Sequence, residues 1–458
     1  MKSNRVMRLL AILGALVLIL AACGDGDAVD TTEGEAVATT EAPETTEAPE
    51  TTEAPETTEA PGPPEAGPLG AVTVAAGDPI EIRSLEAISG PVAFLGIPNE
   101  RATQMAINDY GQIKGHDVNL GVGLDDLCSG EGGQAAAQTI VADEQILGVI
   151  GTSCSGAAIA AIPLISGAGM VLVSPSNTSP ALTSDLAGTP GIDYQPGYYR
   201  IAHNDLFQGQ AVAEFVFNDL GLTTAAAIHD GDSYTQGLAQ AFADAYTELG
   251  GTITLVVGVG KEDTDMTPVL SEIGQDSPEA IYLPIFQPAG DFIVQQFAGV
   301  AGLADTQLVG ADGLLVSDFL AIVESEGMYF SGPNLAFGEN ANAVTGVSAN
   351  DFLSSYEAEF GEAPTAAFWA HAYDATAMLL ASIEDVAVEL DDGSLFIDRQ
   401  ALRDSLTSFT GAGMTGGLAC DAFGDCGSQE IQIVIHDDSA ITDSTQLEVV
   451  FTFKGEIS

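Results

Sequence analysis

The sequence contains very few basic residues. Of its 458 residues only 11 are Lys or Arg, against 66 Asp or Glu, and the formal net charge is −55 at pH 7. A surface of this charge repels phosphate groups, which argues against binding to nucleic acid or to anionic membranes. We expect the acidic side chains to form a solvated surface, and a salt-rich habitat would account for their number.

Motifs for catalysis and for nucleotide binding are missing. The five histidines show no local pattern that would supply a general base. Gly151–Gly156 is close to the hydrolase nucleophile elbow Gly-x-Ser-x-Gly, but its serines have the wrong spacing. Val256–Lys261 lacks the spacing and the following Ser or Thr of a phosphate-binding loop. We therefore predict that the protein is not an enzyme and uses no cofactor or metal.

No apolar run is long enough to span a bilayer as a helix. The longest N-terminal run, Leu9–Ala22, has 14 residues, whereas about 20 are needed. Basic residues precede this run, so residues 1–22 are typical of a signal peptide. The ending Leu20–Cys23 resembles a bacterial lipobox, in which Cys23 would receive a diacylglyceryl group and become the mature N-terminus. An ordinary cleavage site is the alternative.

The next segment lacks large apolar residues. From Gly24 to Pro68 there is nothing large to bury, and Thr-Thr-Glu-Ala-Pro-Glu repeats with a period of six between Thr39 and Pro61. Proline removes backbone donors and the glutamates repel one another, so this composition does not fold. We predict that residues 23–77 are a disordered tether, and that the folded part begins near Asp78.

Strand and helix patterns alternate after residue 78. Repeated strand–helix units over this length predict an α/β fold with two doubly wound Rossmann-like lobes. Residues 78–197 would form the first part of lobe 1 and residues 198–331 lobe 2. Residues 332–458 would complete lobe 1, with C-terminal strands that cross back near the hinge.

Three crossings between the lobes are expected, near Tyr198, near Ser331 and around Gly411–Gly417. Such a multi-crossing hinge suits clam-shell closure on a ligand.

The stretch Asp125–Thr183 is the most informative part of the sequence. Two apolar runs, Ile146–Ile150 and Met170–Val173, have the length and β-branched content of buried parallel strands, and small hydroxyl residues follow each. Ser155 precedes an Ala-rich helix over Gly156–Ser166, whose free N–H groups would face a small anion. Ligands of open α/β sheets lie beyond the carboxyl ends of the strands, so we predict a pocket for a carboxylate. Capped helices and turns without a ligand are the alternative.

A set of short motifs identifies a family resemblance. They are Ser89-Gly90-Pro91-Val92-Ala93 with Gly96, Asp125-Asp126-x-Cys128, Gly151-x-x-Cys154-Ser155, Ser174-Pro175 with Thr178, Pro180, Leu182 and Thr183, His229-Asp230 with Tyr234 and Gly237-Leu238, and Gly310-Ala311-Asp312-Gly313. The sequence resembles the leucine/isoleucine/valine-binding protein family, extracytoplasmic solute-binding components of ABC importers. The resemblance runs from about residue 80 to the C-terminus. It implies the type I periplasmic binding protein fold.

The resemblance also implies a binding role for five residues. Ser155 and Thr178 match residues that hold the carboxylate of the ligand. The carbonyl of Ser176 and the carboxylate of Asp312 match acceptors for its α-ammonium. Tyr234 matches an aromatic residue of the second lobe that closes over the ligand. A zwitterion needs donors at one end and an anion at the other, so these roles are chemically consistent.

Two further positions depart from the branched-chain pattern. Leu95 stands where an aromatic residue lines the side-chain pocket, and Phe286 stands where a tyrosine is expected. Both are apolar, which leaves the zwitterion site intact but the side-chain specificity open. Plain core packing is the alternative for both residues, and a turn aspartate is the alternative for Asp312.

Cysteine usage indicates an oxidising compartment. Beside Cys23 there are four cysteines, which allow three pairings. A Cys128–Cys154 disulfide would join loops at the ends of neighbouring strands, and a Cys420–Cys426 disulfide would close a short loop. A metal site in that loop is the competing interpretation, but its spacing is not a zinc pattern.

The sequence as a whole predicts a lipid-anchored, extracytoplasmic solute-binding protein of an ABC importer. It would bind a branched-chain or other small apolar amino acid, or a related carboxylate, and deliver it to a membrane permease. We expect a monomer whose partners are the ligand, the permease and ATPase subunits, and the membrane through Cys23. A sensor or receptor lipoprotein, or a binding protein for an amide, urea or an aromatic acid, is the alternative.

Overall fold

The computed structural model describes residues 64–455. The predicted signal peptide, Cys23 and most of the predicted tether lie outside the described residues. Within residues 64–455, no helix is both long enough and apolar enough to cross a membrane.

The first sheet is parallel throughout. Its strands lie in the order β3-β2-β5-β6-β7, with β4 pairing to β2. Helices cover its faces, so the central strand β5 is apolar and buried along its whole length. The elements of this part are β1 (Ala71–Val74), β2 (Ile80–Glu86), α1 (Ala93–Tyr110), β3 (Val118–Asn119), β4 (Leu124–Asp125), α2 (Gly130–Val141), β5 (Ile146–Gly151), α3 (Ser155–Gly167), β6 (Val171–Ser174) and β7 (Tyr198–Arg200).

The second sheet repeats this strand order. Its parallel strands lie in the order β9-β8-β10-β11-β12. The elements are α4 (Asp205–Glu214), β8 (Thr224–His229), α5 (Ser233–Glu248), β9 (Thr252–Gly258), α6 (Thr267–Ile273), β10 (Ala280–Leu283), α7 (Ala289–Phe297), β11 (Gln307–Gly310), α8 (Ser317–Leu320) and β12 (Met328–Pro333).

The C-terminal third of the chain contributes to both lobes. Helix α10 packs on α1 and against β5 and β6 of the first lobe, whereas β17 and β18 extend the second sheet, with β17 antiparallel to β12 and β18 antiparallel to β17. The elements are α9 (Ala349–Phe360), α10 (Trp369–Val386), β13 (Val388–Glu389), β14 (Leu395–Asp398), α11 (Arg399–Thr407), β15 (Thr410–Gly413), β16 (Gly416–Ala419), β17 (Glu430–His436) and β18 (Glu448–Lys454). The predicted fold class of two doubly wound lobes is confirmed.

The strand order determines where a ligand can bind. In each of these two sheets, the parallel strand that comes first in the chain (β2 or β8) has the second strand (β3 or β9) on one side. The third strand (β5 or β10) lies on its other side. The point where the order reverses therefore falls between β2 and β5 in one lobe and between β8 and β10 in the other. Loops diverge there and leave a crevice beyond the carboxyl ends of the strands.

The predicted tether extends too far. Ala71–Val74 falls inside the predicted segment 23–77 but forms strand β1, which pairs antiparallel with β14. Val72 and Val74 are 1% and 4% exposed, and Thr73 between them is exposed. This is the alternation of a half-buried strand, and it was missed because it spans only four residues.

All three predicted crossing points need correction. Ser331 lies inside β12 of the second sheet, so the chain leaves that sheet after Pro333. Tyr198–Arg200 is the edge strand of the first sheet and pairs with the backbone N–H and C=O groups of β6. The chain therefore leaves this sheet after Arg200. Gly411–Gly417 lies in the hairpin formed by β15 and β16. The third crossing follows this hairpin, in the segment 420–429. The predicted strand Val118–Leu124 is also interrupted and forms the two short strands β3 and β4.

Candidate ligand-binding site

A cavity lies between the lobes where the two switch points face each other. The space between its lining side chains, including the part that opens to solvent, is about 370 Å³. Its walls come from the starts of α1, α3 and α5, from the loops after β6, β10 and β11, and from the segment before α10. The lining residues are Phe94, Leu95, Ser153, Cys154, Ser155, Ser176, Tyr234, Phe286, Asp312, Gly313, Ala366, Ala367 and Phe368.

One end of the cavity offers hydrogen-bond donors. Ser155 is the first residue of α3, a helix of 13 residues, and is 2% exposed. The first N–H groups of a helix have no partner inside the helix, and the helix dipole adds positive potential there. The Ser155 hydroxyl accepts from the Ser179 N–H at 3.4 Å, so its own proton is free to donate. This end suits an anion.

Two buried acids hold the loop that carries these donors. Asp126 accepts from the backbone N–H groups of Cys128 at 2.7 Å and of Ser153 at 2.8 Å. The Ser153 hydroxyl lies 2.5 Å from the Glu86 carboxyl. Burial raises the pKa of Glu86 well above its ordinary value, and it raises the pKa of Asp126 to about 6. Burial therefore favours the neutral form of Glu86, which carries no charge that would repel an anion.

Both predicted disulfides are present. The Cys128–Cys154 disulfide ties the segment before α2 to the residue that precedes α3. Cys154 itself lines the cavity, so this disulfide supports the donor end directly. The Cys420–Cys426 disulfide lies in the third crossing between the lobes.

The other end of the cavity is anionic. Asp312 follows β11, and its Oδ1 atom accepts from the Tyr234 hydroxyl at 3.0 Å and from Gln208 Nε2 at 2.7 Å. Neither of these bonds involves Oδ2, which leaves that oxygen for a ligand. A buried carboxylate with one free oxygen is an acceptor for a cation such as an ammonium group.

Apolar side chains line the cavity between these two ends. Leu95 and Phe286 are 7% and 6% exposed, and Phe286 packs on Tyr234 with ring centroids 5.3 Å apart. Phe94 and Phe368 contribute further rings from the first lobe. A ligand side chain held here loses its contact with water, so this part of the cavity favours apolar groups.

Six of the seven predicted ligand-binding residues line this cavity. They are Leu95, Ser155, Ser176, Tyr234, Phe286 and Asp312. Thr178 does not line it. It is 1% exposed and lies behind the wall, where its carbonyl accepts from the Asp205 N–H at 3.0 Å.

Several contributing residues were missed. Ala366, Ala367 and Phe368 reach the cavity from the segment before α10, and no local motif marks them. Gln208 was missed because a buried residue in a helix shows only that it faces the core. Phe94 adjoins the predicted Leu95, and Ser153 lies in the predicted hydroxyl-rich loop. The sequence therefore predicted these two segments of the cavity wall, although not these two residues.

Polar contacts join the two lobes across the cleft. Lys261 Nζ donates to Asp232 Oδ2 of its own lobe at 3.0 Å and to the Cys128 carbonyl of the other lobe at 3.4 Å. The hydroxyl oxygens of Ser179 and Ser233 lie 3.5 Å apart. These contacts belong to a closed cleft.

Two doubly wound lobes that close on a cavity with opposite polar ends define a class, the two-lobed solute-binding proteins. Comparison of the sequence with known families agrees with this class. Residues 79–431 match the periplasmic binding protein family, and the chain belongs to that family. The resemblance stated from the motifs is thus confirmed. Members of this family are extracytoplasmic solute-binding proteins of transporters, so the protein is not an enzyme.

Individual relatives agree with this assignment. The Leu/Ile/Val-binding protein homolog 3 of Brucella melitensis is 27% identical over 383 residues, which cover 82% of this chain and 96% of that protein. A leucine binding protein from Thermotoga maritima has a similar fold, with a TM-score of 0.69, 23% identity, and coverage of 82% of this chain and 99% of that chain. An ABC transporter solute binding protein from R. palustris, solved with benzoate, has a TM-score of 0.65 at 16% identity, covering 83% and 98%.

Proposed function

We propose that the protein binds a small apolar amino acid as a zwitterion and delivers it to the permease of an ABC importer. The observation that carries this proposal is the opposite character of the two cavity ends. Donors at the start of α3 would hold the carboxylate of the ligand, and Asp312 would accept from its ammonium group. The apolar walls between them would hold the side chain.

The charge of Asp312 favours a zwitterion over a simple acid. An aspartate in the same narrow cavity as a bound carboxylate repels it unless a cation lies between the two. An α-ammonium group supplies that cation within the same molecule. The names of the Brucella relative and the Thermotoga neighbour, which refer to branched-chain amino acids, agree with this choice.

Thr178 keeps a supporting role in this proposal. Its carbonyl anchors the Asp205 N–H, so it would hold the loop that carries Ser176. The predicted direct contact between Thr178 and the ligand carboxylate would require this loop to move, because Thr178 does not line the cavity.

An amine-free aromatic acid is the second candidate. Four of the lining residues are aromatic, and the R. palustris neighbour was solved with benzoate. In that case Asp312 would face a polar group other than an amine. Sensing of the ligand, in place of import, is compatible with the same cavity.

A panel of ligands distinguishes these candidates by thermal shift. L-Leucine and L-isoleucine carry both polar groups, 4-methylpentanoate and benzoate carry only the acid, and 3-methylbutylamine carries only the amine. Ligand at a hundredfold excess over Kd stabilises the folded protein by about 2.7 kcal/mol. At equal ligand concentration we expect the amino acids to stabilise the protein far more than the acids or the amine. Equal stabilisation by benzoate would overturn the zwitterion proposal and favour the second candidate.

The lipid anchor belongs to the same proposal. Cys23 would carry the lipid, and residues beyond it would hold the binding domain away from the membrane. We expect Cys23→Ala to leave an unprocessed precursor or to move the protein from the membrane fraction to the soluble fraction. A mature N-terminus at another residue, found by mass spectrometry, would contradict the anchor but not the ligand site.

A further inference from the structure

A chain of buried hydrogen bonds leads from Asp312 to a histidine at the hinge. His203 lies between β7 and α4, in the first crossing between the lobes, and is fully buried. Its Nε2 atom lies 2.6 Å from Gln208 Oε1, and Gln208 Nε2 lies 2.7 Å from Asp312 Oδ1. Gln208 Nε2 also donates to the carbonyl of Ser331 at 3.2 Å.

The neighbours of Gln208 fix the direction of this chain. The Ser331 carbonyl and the Asp312 carboxylate only accept hydrogen bonds, so the amide nitrogen of Gln208 must face both. Its oxygen then faces His203, which must donate from Nε2. The His203 Nδ1 atom is buried and has no partner among the described residues, so a proton there would be unsatisfied. Burial also lowers the pKa of His203, which keeps the ring neutral.

We propose that His203 is a positioning residue that makes the cavity selective for ligands with an amine. By donating to Gln208 Oε1 it holds the Gln208 side chain in place, and Gln208 in turn holds Asp312 by Oδ1 with Oδ2 left for the ammonium group. This inference rests on the proposed function, because it assigns the amine selectivity of that same site.

The position of His203 also links the two lobes. Its ring stacks on Phe368 of the first lobe, with centroids 6.3 Å apart and an angle of 23° between the planes. Gln208 and Asp312 belong to the second lobe. A change that keeps the size of the side chain but removes the donor therefore tests the hydrogen bond separately from the packing.

Two variants separate these contributions in the full chain. His203→Gln keeps an N–H donor near the position of Nε2, whereas His203→Met has similar bulk and no donor. His436→Met is the control, because His436 is a buried histidine in the second sheet with its Nε2 on the Leu320 carbonyl, outside the cavity. The probes are L-leucine and 4-methylpentanoate, which share a carbon skeleton and differ in the amine. Isothermal titration gives the Kd of each.

We expect His203→Met to weaken L-leucine binding about tenfold, as the loss of one well-placed hydrogen bond would, and 4-methylpentanoate binding by less than about twofold. His203→Gln and His436→Met should leave the ratio of the two Kd values near that of the wild type. Equal weakening of both probes in His203→Met, or a His203→Gln variant as poor as His203→Met, would overturn the proposal.

A second measurement does not depend on the ligand. Nitrogen NMR of histidine-labelled, ligand-free protein reports which ring nitrogen of His203 carries the proton. We expect the neutral form protonated at Nε2 near pH 7, and a proton on Nδ1 would contradict the hydrogen-bond chain. If the wild type bound neither probe, the proposed function and the selectivity would both fail, while the NMR result would still decide whether the chain exists.

Discussion

Arg200 and Asp425 form a buried ion pair at the hinge, and its removal gives a sharp test of how the site is held. Both side chains are fully buried, and Arg200 Nε lies 2.5 Å from Asp425 Oδ1. The other guanidinium nitrogens donate to the carbonyls of Asn177 and Ser179 and to the Thr183 hydroxyl. Arg200 therefore ties the loop that carries Ser176 to the disulfide-closed loop of the third crossing.

The magnitude of the effect follows from burial. Replacing Asp425 by Asn leaves a guanidinium group that cannot lose its proton and has no access to water. Removing one partner of a buried pair costs roughly 3–5 kcal/mol, and we expect the lower end because Asn retains an acceptor oxygen. The surface pair of Lys454 and Glu430, 3.1 Å apart, is the matched control, with the Lys454 side chain 75% exposed and that of Glu430 21% exposed. Glu430→Gln should cost less than about 1 kcal/mol, because a pair that remains in contact with water contributes little.

Urea unfolding measures both changes in the free energy of unfolding, and titration of L-leucine measures the effect on the site. We expect Asp425→Asn to reduce stability and to weaken binding, and Glu430→Gln to do neither. An Asp425→Asn variant that loses less than about 1 kcal/mol would refute the view that this pair holds the hinge.

Three other outcomes follow from the structure. Replacing both cysteines of Cys128–Cys154, which are 26 residues apart, by serine should cost roughly 3–4 kcal/mol in urea unfolding and weaken binding; unchanged stability would count against a structural disulfide. Lys261→Met should speed dissociation of L-leucine a few-fold in a stopped-flow assay, because a contact across the cleft is lost, whereas Lys454→Met should not. The pKa of Asp126 is about 6 in the folded protein and about 3.9 when unfolded, so the folded state binds more protons between these values and stability falls as pH rises from 4 to 6. Asp126→Asn should flatten this fall in urea titrations at pH 4, 5, 6 and 7, and an unchanged slope would show that another group is responsible.

The sequence predicted the parts of the fold that depend on local pattern. Buried strands such as Ile146–Gly151 show as apolar β-branched runs, and the hydroxyl residues after them mark the carboxyl ends where ligands bind. The order of strands in a doubly wound sheet then brings those ends together. Ser155 was predicted from a strand end, and Tyr234 and Asp312 from the motifs of the family resemblance, and all three line the cavity although they are far apart in the chain.

The parts that the sequence did not reveal depend on contacts between distant segments. Ala366–Phe368 reach the cavity only because α10 packs on the first sheet, and nothing in their own sequence indicates a ligand. Gln208 and His203 read as ordinary buried residues, since their role comes from Asp312, about a hundred residues away. Strand β1 was not predicted because its four residues give too short an alternating pattern, and because the segment before it is rich in proline.

The zwitterion claim is tested most directly by the affinity of Asp312→Asn for L-leucine, measured by isothermal titration beside 4-methylpentanoate. Asp318→Asn is the control, because it makes the same charge change at an exposed position outside the cavity. A charge-assisted hydrogen bond contributes about 1.5–3 kcal/mol, so we expect Asp312→Asn to raise the Kd for L-leucine by one to two decades. The variant should still fold. Unchanged L-leucine affinity, or tighter binding of 4-methylpentanoate than of L-leucine in the wild type, would contradict the zwitterion site.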